Sequence, residues 1–172
     1  MSFPNLPTHL HDPEPALETR ALVKTYPPAT TALGGLDLQV PPGSVYVLVG
    51  PNGAGKSTTM KVLLDLVRAD HGTATVLGID TARQPALARA QIGYVPEVVD
   101  TAYGWLTVRG LLRHHAAFYH AWDPAYADAL CVRLGLRMNE RFRSLSKGGA
   151  RALALVTALA HRPPVLLLDE PT

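Results

Sequence analysis

The chain has 172 residues, 47% of them apolar, and a formal net charge of +2. That length builds one globular domain with a real core, and the charge is too small to argue for nucleic acid or an anionic membrane surface as a partner. The single cysteine, Cys131, excludes an internal disulfide and a cysteine-cluster metal site. The N-terminal stretch lacks the basic-then-apolar pattern of a leader, and the longest uncharged apolar run, "ALALVTALA" at 152–160, falls far short of the roughly 20 residues of a membrane span.

In chain order, residues 1–16 contain four prolines and no apolar period, which predicts a disordered tail. Residues 17–24 and 36–40 read as strands, "PPG" at 41–43 as a turn, and the β-rich apolar run 45–49 as a buried strand. A helix is expected from about Gly55 to Arg68, with Met60, Leu63, Leu64 and Val67 on one face. "DHGT" at 70–73 reads as a turn, and "TATVLG" and "IGYVP" as strands. From Thr107 to about Gly135 the pattern is helical, with Thr107 and Asp123 as N-caps and Pro124 at a first helical position. Ser146 caps a further helix to about Ala160, and "VLLL" at 165–168 is the last strand. The sum is an α/β domain with a mixed sheet and a helical subdomain at about 98–145.

"GPNGAGKST", residues 50–58, matches G-x-x-x-x-G-K-[ST] between an expected strand and an expected helix. Glycines at 50, 53 and 55 let backbone N–H groups turn toward an anion, and the helix N-terminus adds partial positive charge. Lys56 brings a mobile full charge to the β- and γ-phosphates, and the Ser57 hydroxyl suits Mg²⁺. A phosphate-bound Mg²⁺ needs a carboxylate from a second strand, which Asp169 at the end of "VLLLD" supplies; Glu170 is placed to polarise an attacking water.

With "YVPE" at 94–97 and "SLSKGGARALALVTALAHRPPVLLLDEPT" to the last residue, the chain resembles the ATP-binding cassette family, the nucleotide-binding subunits of ABC transporters. The resemblance implies ATP and Mg²⁺ as ligands. The nucleotide would be held by Tyr26, stacked on adenine, and by Gly50, Pro51, Asn52, Gly53, Ala54, Gly55, Lys56, Ser57 and Thr58. It further implies Ser57, Asp169 and Glu97 around the metal, with Glu97 where most relatives carry glutamine, and Glu170 as catalytic base beside Lys56. The family signature reads Leu145, Ser146, Lys147, Gly148, Gly149, with lysine at its third place and glycine for glutamine at its fifth. Ser146 and Gly148 would meet the γ-phosphate held by a second ATPase subunit.

The partners implied are that second subunit and a transmembrane permease, docked through the region from Trp105 to Trp122 at the cytoplasmic face of the membrane; nucleic acid is not among them. His114, His115 and His120 lack metal-ligand spacing. His161 does not match the family's phosphate-contacting histidine, because it precedes the acidic strand. The expected strand and histidine after "DEPT" do not follow within the chain, which implies an ABC ATPase cut inside a motif, with its central strand missing. Two alternatives stay open: a soluble ABC-type ATPase, and a non-hydrolytic nucleotide-binding module.

Overall fold

The computed structural model describes residues 14–99 and 102–170, so most of the expected tail lies outside the described residues. Ala16, at the tail's end, is tied by backbone hydrogen bonds to Val40 and Leu77. Strands β1 (Leu17–Tyr26) and β2 (Thr30–Val40) form an antiparallel hairpin. β3 (His71–Val76) pairs antiparallel with the other edge of β1. It turns through Leu77 and Gly78, both at positive φ, into the short β4 (Ile79–Asp80), the twist such two-residue loops favour. The order is β2-β1-β3-β4.

A second sheet pairs β5 (Ile92–Val95) in parallel with β6 (Val165–Leu168), Ile92 opposite Val165 and Val95 opposite Leu168. Parallel pairing needs a long crossover, and here it contains the helices α3 (Val108–Ala116), α4 (Pro124–Arg133) and α5 (Lys147–Leu159). Each starts at its expected cap: Thr107 accepts from the Gly110 N–H at 3.1 Å, Asp123 from Tyr126 at 2.9 Å and Ser146 from Gly149 at 3.1 Å.

Two cores follow from these faces. In one, Leu22, Val76, Leu63, Val165 and Leu167 join the sheets to α1 (Lys56–Leu63). In the other, Val108, Leu112, Cys131, Phe142, Leu153 and Val156 join the three crossover helices. α5 also reaches β5. A Cβ on Gly93 would run into the Ala158 carbonyl and come within 2.8 Å of Pro163 Cγ, so glycine is what lets the strand pass this close.

Three expectations are corrected. Residues 45–49 form no strand: they make no backbone hydrogen bond to a described residue, and Val45, Val47 and Val49 are 96%, 72% and 85% exposed. An apolar run becomes a strand only where a neighbour completes its ladder. α1 ends at Leu63 instead of running to Arg68. Asp65 takes a left-handed φ of 50°, with its N–H on Val62 and the Leu66 N–H on Lys61, the paired closure that caps a helix. Val67 nevertheless packs on the core, which is why the apolar period outlasts the helix. The expected turn at 70–73 is instead largely the start of β3, where Gly72 at φ 85° accompanies a register shift opposite residues 20–23 of β1. α2 (Pro85–Ala90) was not expected, since "PALARA" carries no apolar stripe long enough to register.

Candidate functional site

The phosphate loop is built where residues 50–55 turn into α1. Gly53 and Gly55 stand at φ 84° and 88°, a region that costs other L-residues strain. At Gly55 space is closed as well: a Cβ would meet the Ala32 carbonyl oxygen and sit 2.7 Å from Leu33 Cδ2. No side chain caps α1, so its first-turn N–H groups are left for an anion. Thr59 is buried and gives its hydroxyl back to the Gly55 carbonyl at 2.9 Å, locking the start of the helix. Thr58 lies half-buried beside it in the first turn, and Pro51, Asn52 and Ala54 are exposed, with the Ala54 N–H on the Pro51 carbonyl.

Lys56 lies along this loop. Its ammonium donates to the carbonyls of Gly50 at 2.8 Å and Pro51 at 3.1 Å, and reaches a Glu170 carboxylate oxygen at 3.9 Å. Ser57, the next residue, donates from Oγ to Asp169 Oδ1 at 3.0 Å across 112 positions of sequence. Asp169 is 5% exposed, and its own N–H is held by the Val95 carbonyl at 2.9 Å. Glu170 follows with a left-handed φ of 47° and a half-exposed side chain. Loop, ammonium, hydroxyl and two acids, predicted from separate stretches, are thus brought to one place.

Sequence reasoning missed Tyr94. Its hydroxyl lies 3.5 Å from Asp169 Oδ2. Burial pushes its pKa above the ordinary phenol value, followed by the charge of Asp169 and its hydrogen bond, and then by Glu97. The signal was present in "YVPE", but only the β5–β6 register, Tyr94 opposite Leu167, reveals it.

Among the described residues, the other expected ones make no hydrogen bond or ion pair to this cluster, although the charge of Glu97 is felt at Tyr94. Glu97 is exposed two residues past β5, and among the described residues no three His, Cys, Asp or Glu side chains gather as a metal site. Tyr26 closes β1 with the Lys24 ammonium 5.6 Å from its ring centroid. Ser146 and Gly148 are exposed at the start of α5. His114 contacts the rings of Tyr103 and Phe118, and His115 Nδ1 lies 3.0 Å from the Leu111 carbonyl.

An anion loop opening a helix, its lysine, and a hydroxyl facing a buried strand-end carboxylate define a P-loop nucleotide-binding domain. Within that class the chain belongs to the ABC transporter family, which residues 33–172 match. It is 37% identical over 164 residues to the daunorubicin/doxorubicin resistance ATP-binding protein DrrA of Streptomyces peucetius, covering 93% of this chain and 49% of that protein. Against the Nod factor export ATP-binding protein I of Paraburkholderia xenovorans it is 36% identical, covering 93% of this chain and 54% of the relative. The chain thus spans about half the length of the curated relatives it matches. Among solved structures, the ATP-binding subunit of an ABC transporter superposes with a TM-score of 0.81 at 30% identity, over 91% of this chain and 66% of that one. The dimeric cassette MJ0796 superposes at 0.79 and 24% identity, over 91% and 74%, a likeness of fold.

Proposed function

We propose that this chain is the ATP-binding and ATP-hydrolysing part of an ABC transporter that exports its substrate, working at the cytoplasmic face of a membrane with a permease subunit. The observation that carries this reading is the Ser57–Asp169 contact at 3.0 Å, which joins the phosphate loop to the acidic strand. A hydroxyl and a carboxylate are hard oxygen donors of the kind Mg²⁺ takes, and Mg²⁺ bound there would neutralise phosphate charge. Lys56 binds and orients the phosphates. Glu170, half-exposed next to Asp169, is free to accept a proton from water. Export is supported by the functions named for the relatives, drug resistance and Nod factor export. Among the described residues no helix is long and apolar enough to cross a membrane. The exposed Ser146 and Gly148, which the chain's own loop leaves untouched, support a nucleotide site completed by a second ATPase subunit, as does the dimeric assembly described for MJ0796.

Glu170→Gln tests the assignment. The full-length variant keeps its phosphate contacts and binds ATP, but its phosphate release falls about 100-fold or more, the scale of a general base. Dimers then accumulate in ATP and are seen by size-exclusion chromatography. Hydrolysis at the native rate would remove Glu170 from the role of base.

A further inference from the structure

We propose that Tyr94 is a positioning residue for the Mg²⁺ site, its hydroxyl holding the second oxygen of Asp169 so that the first faces Ser57. This rests on the nucleotide-binding reading above and adds a residue to it. The Asp169 backbone is fixed by its N–H on Val95 and by the end of β6. Its carboxylate is not fixed by that alone, because rotation about the terminal sp³–sp² bond is broad. Two donors on two different oxygens set the plane. Ser57 approaches Oδ1 at 3.0 Å, and Tyr94 faces Oδ2 at 3.5 Å, longer than the roughly 2.5–3.0 Å of an ordinary O–H···O bond and half an ångström of closure from it.

The two donors are not equivalent. Ser57 is itself a ligand in the proposed site, so its hydroxyl cannot serve as a constant reference for the carboxylate. Tyr94 is not a ligand. Its ring packs against the main core, and β5 holds it beside β6 through the pairing of Tyr94 with Leu167. A donor carried on a rigid ring in a paired strand is suited to orienting a metal-binding group. Tyr94→Phe removes that donor and keeps the ring in the core, so the change isolates the hydroxyl.

The test titrates Mg²⁺ into the full-length protein with a fluorescent ATP analogue and reads affinity, not turnover. In EDTA, Tyr94→Phe binds the analogue as the native protein does, which shows that fold and loop are intact. The Mg²⁺ concentration giving half of the affinity gain rises roughly tenfold, the lower end of what outer-shell partners of a metal site contribute. Asp169→Asn weakens the Mg²⁺ dependence, and adding Tyr94→Phe to it weakens it no further, because the phenol acts through Asp169. An unchanged Mg²⁺ dependence in Tyr94→Phe overturns the inference while the nucleotide site stands. A further loss from Tyr94→Phe in the Asp169→Asn background also overturns it. A native protein that binds no nucleotide overturns the proposed function, and this inference with it.

Discussion

Lys56 holds the loop, and in the proposed function it also meets the phosphates of the nucleotide. Its ammonium satisfies two loop carbonyls, Gly50 and Pro51, and stands 3.9 Å from Glu170, a separation and exposure that make the ion pair weak. Phosphate oxyanions are stronger partners than neutral carbonyls, so the same ammonium is available to them without refolding the loop. Lys56→Ala is expected to cost about 1.5–3 kcal/mol of nucleotide binding, a ten- to hundredfold weaker Kd, measured with a fluorescent ATP analogue on the full-length protein. Equal affinities would detach Lys56 from the phosphates. At this scale the site was largely legible in advance. "GPNGAGKST" places the loop glycines, Lys56 and Ser57 within nine positions, and "LLLDE" needed only the known demand of a bound metal for a carboxylate. Tyr94 was not legible, because which atom its hydroxyl meets depends on a parallel strand register between segments 75 positions apart.

Among the elements, α5 has the most demanding placement, since it seals the helical core through Leu153 and Val156 and lies on β5 at Gly93. His161, just past its end, fastens this junction. The imidazole is buried, its Nε2 donates to the Ile92 carbonyl at 3.2 Å, and its ring stacks on Tyr119 at 4.1 Å between centroids. Next to it, Arg162 closes on Asp123 at 2.9 Å and over the Tyr126 ring, joining α5 to the start of α4. Burial pushes the His161 pKa below 6.5, against the opposing pull of the Ile92 and Thr157 backbone groups. A folded-state pKa below the unfolded one means the unfolded chain binds more protons as the pH drops. The contribution is therefore complete above about 6.5 and lost as the pH falls from there through the lower folded-state value. The native urea midpoint should fall more between pH 7.5 and pH 5.5 than that of His161→Phe, which keeps a ring against Tyr119 but cannot titrate. Equal pH dependence in the two proteins would refute the idea. The caps at Thr107, Asp123 and Ser146 were readable because capping is local chemistry. The start of β3 was not: it looked like a turn because Gly72 makes a bulge against β1, and a bulge is a property of the pair.

For the molecule as a whole, the decisive feature is the space between residues 45–48 and β6. A groove of about 770 Å³ lies there, with Val45, Tyr46, Val47 and Leu48 on one side, residues 165–169 on the other, and Thr59, Met60 and Leu63 of α1 in its lining. Among the described residues, β6 is paired on one edge only, to β5. Both flanks are apolar, and the groove has the character of a slot for one more strand. The cost of leaving it open comes from exposed apolar surface, because residues 45–47 and 49 are exposed and their unpaired backbone groups can turn to water. Burying one valine is worth roughly 1.5–3 kcal/mol. Three valines exposed by 72% or more therefore put several kcal/mol at stake against a typical stability of about 5–15 kcal/mol, beside an open apolar edge that templates aggregation. Residues 1–172 expressed alone are accordingly expected to show no cooperative thermal unfolding and no phosphate release. A longer chain that supplies a strand to the groove is expected to melt cooperatively and to turn over ATP. Thermal unfolding followed by circular dichroism and a phosphate-release assay, run on both, decide the matter. A sharp melt with steady turnover from residues 1–172 alone would mean that 45–49 and β6 close on each other without an intervening strand.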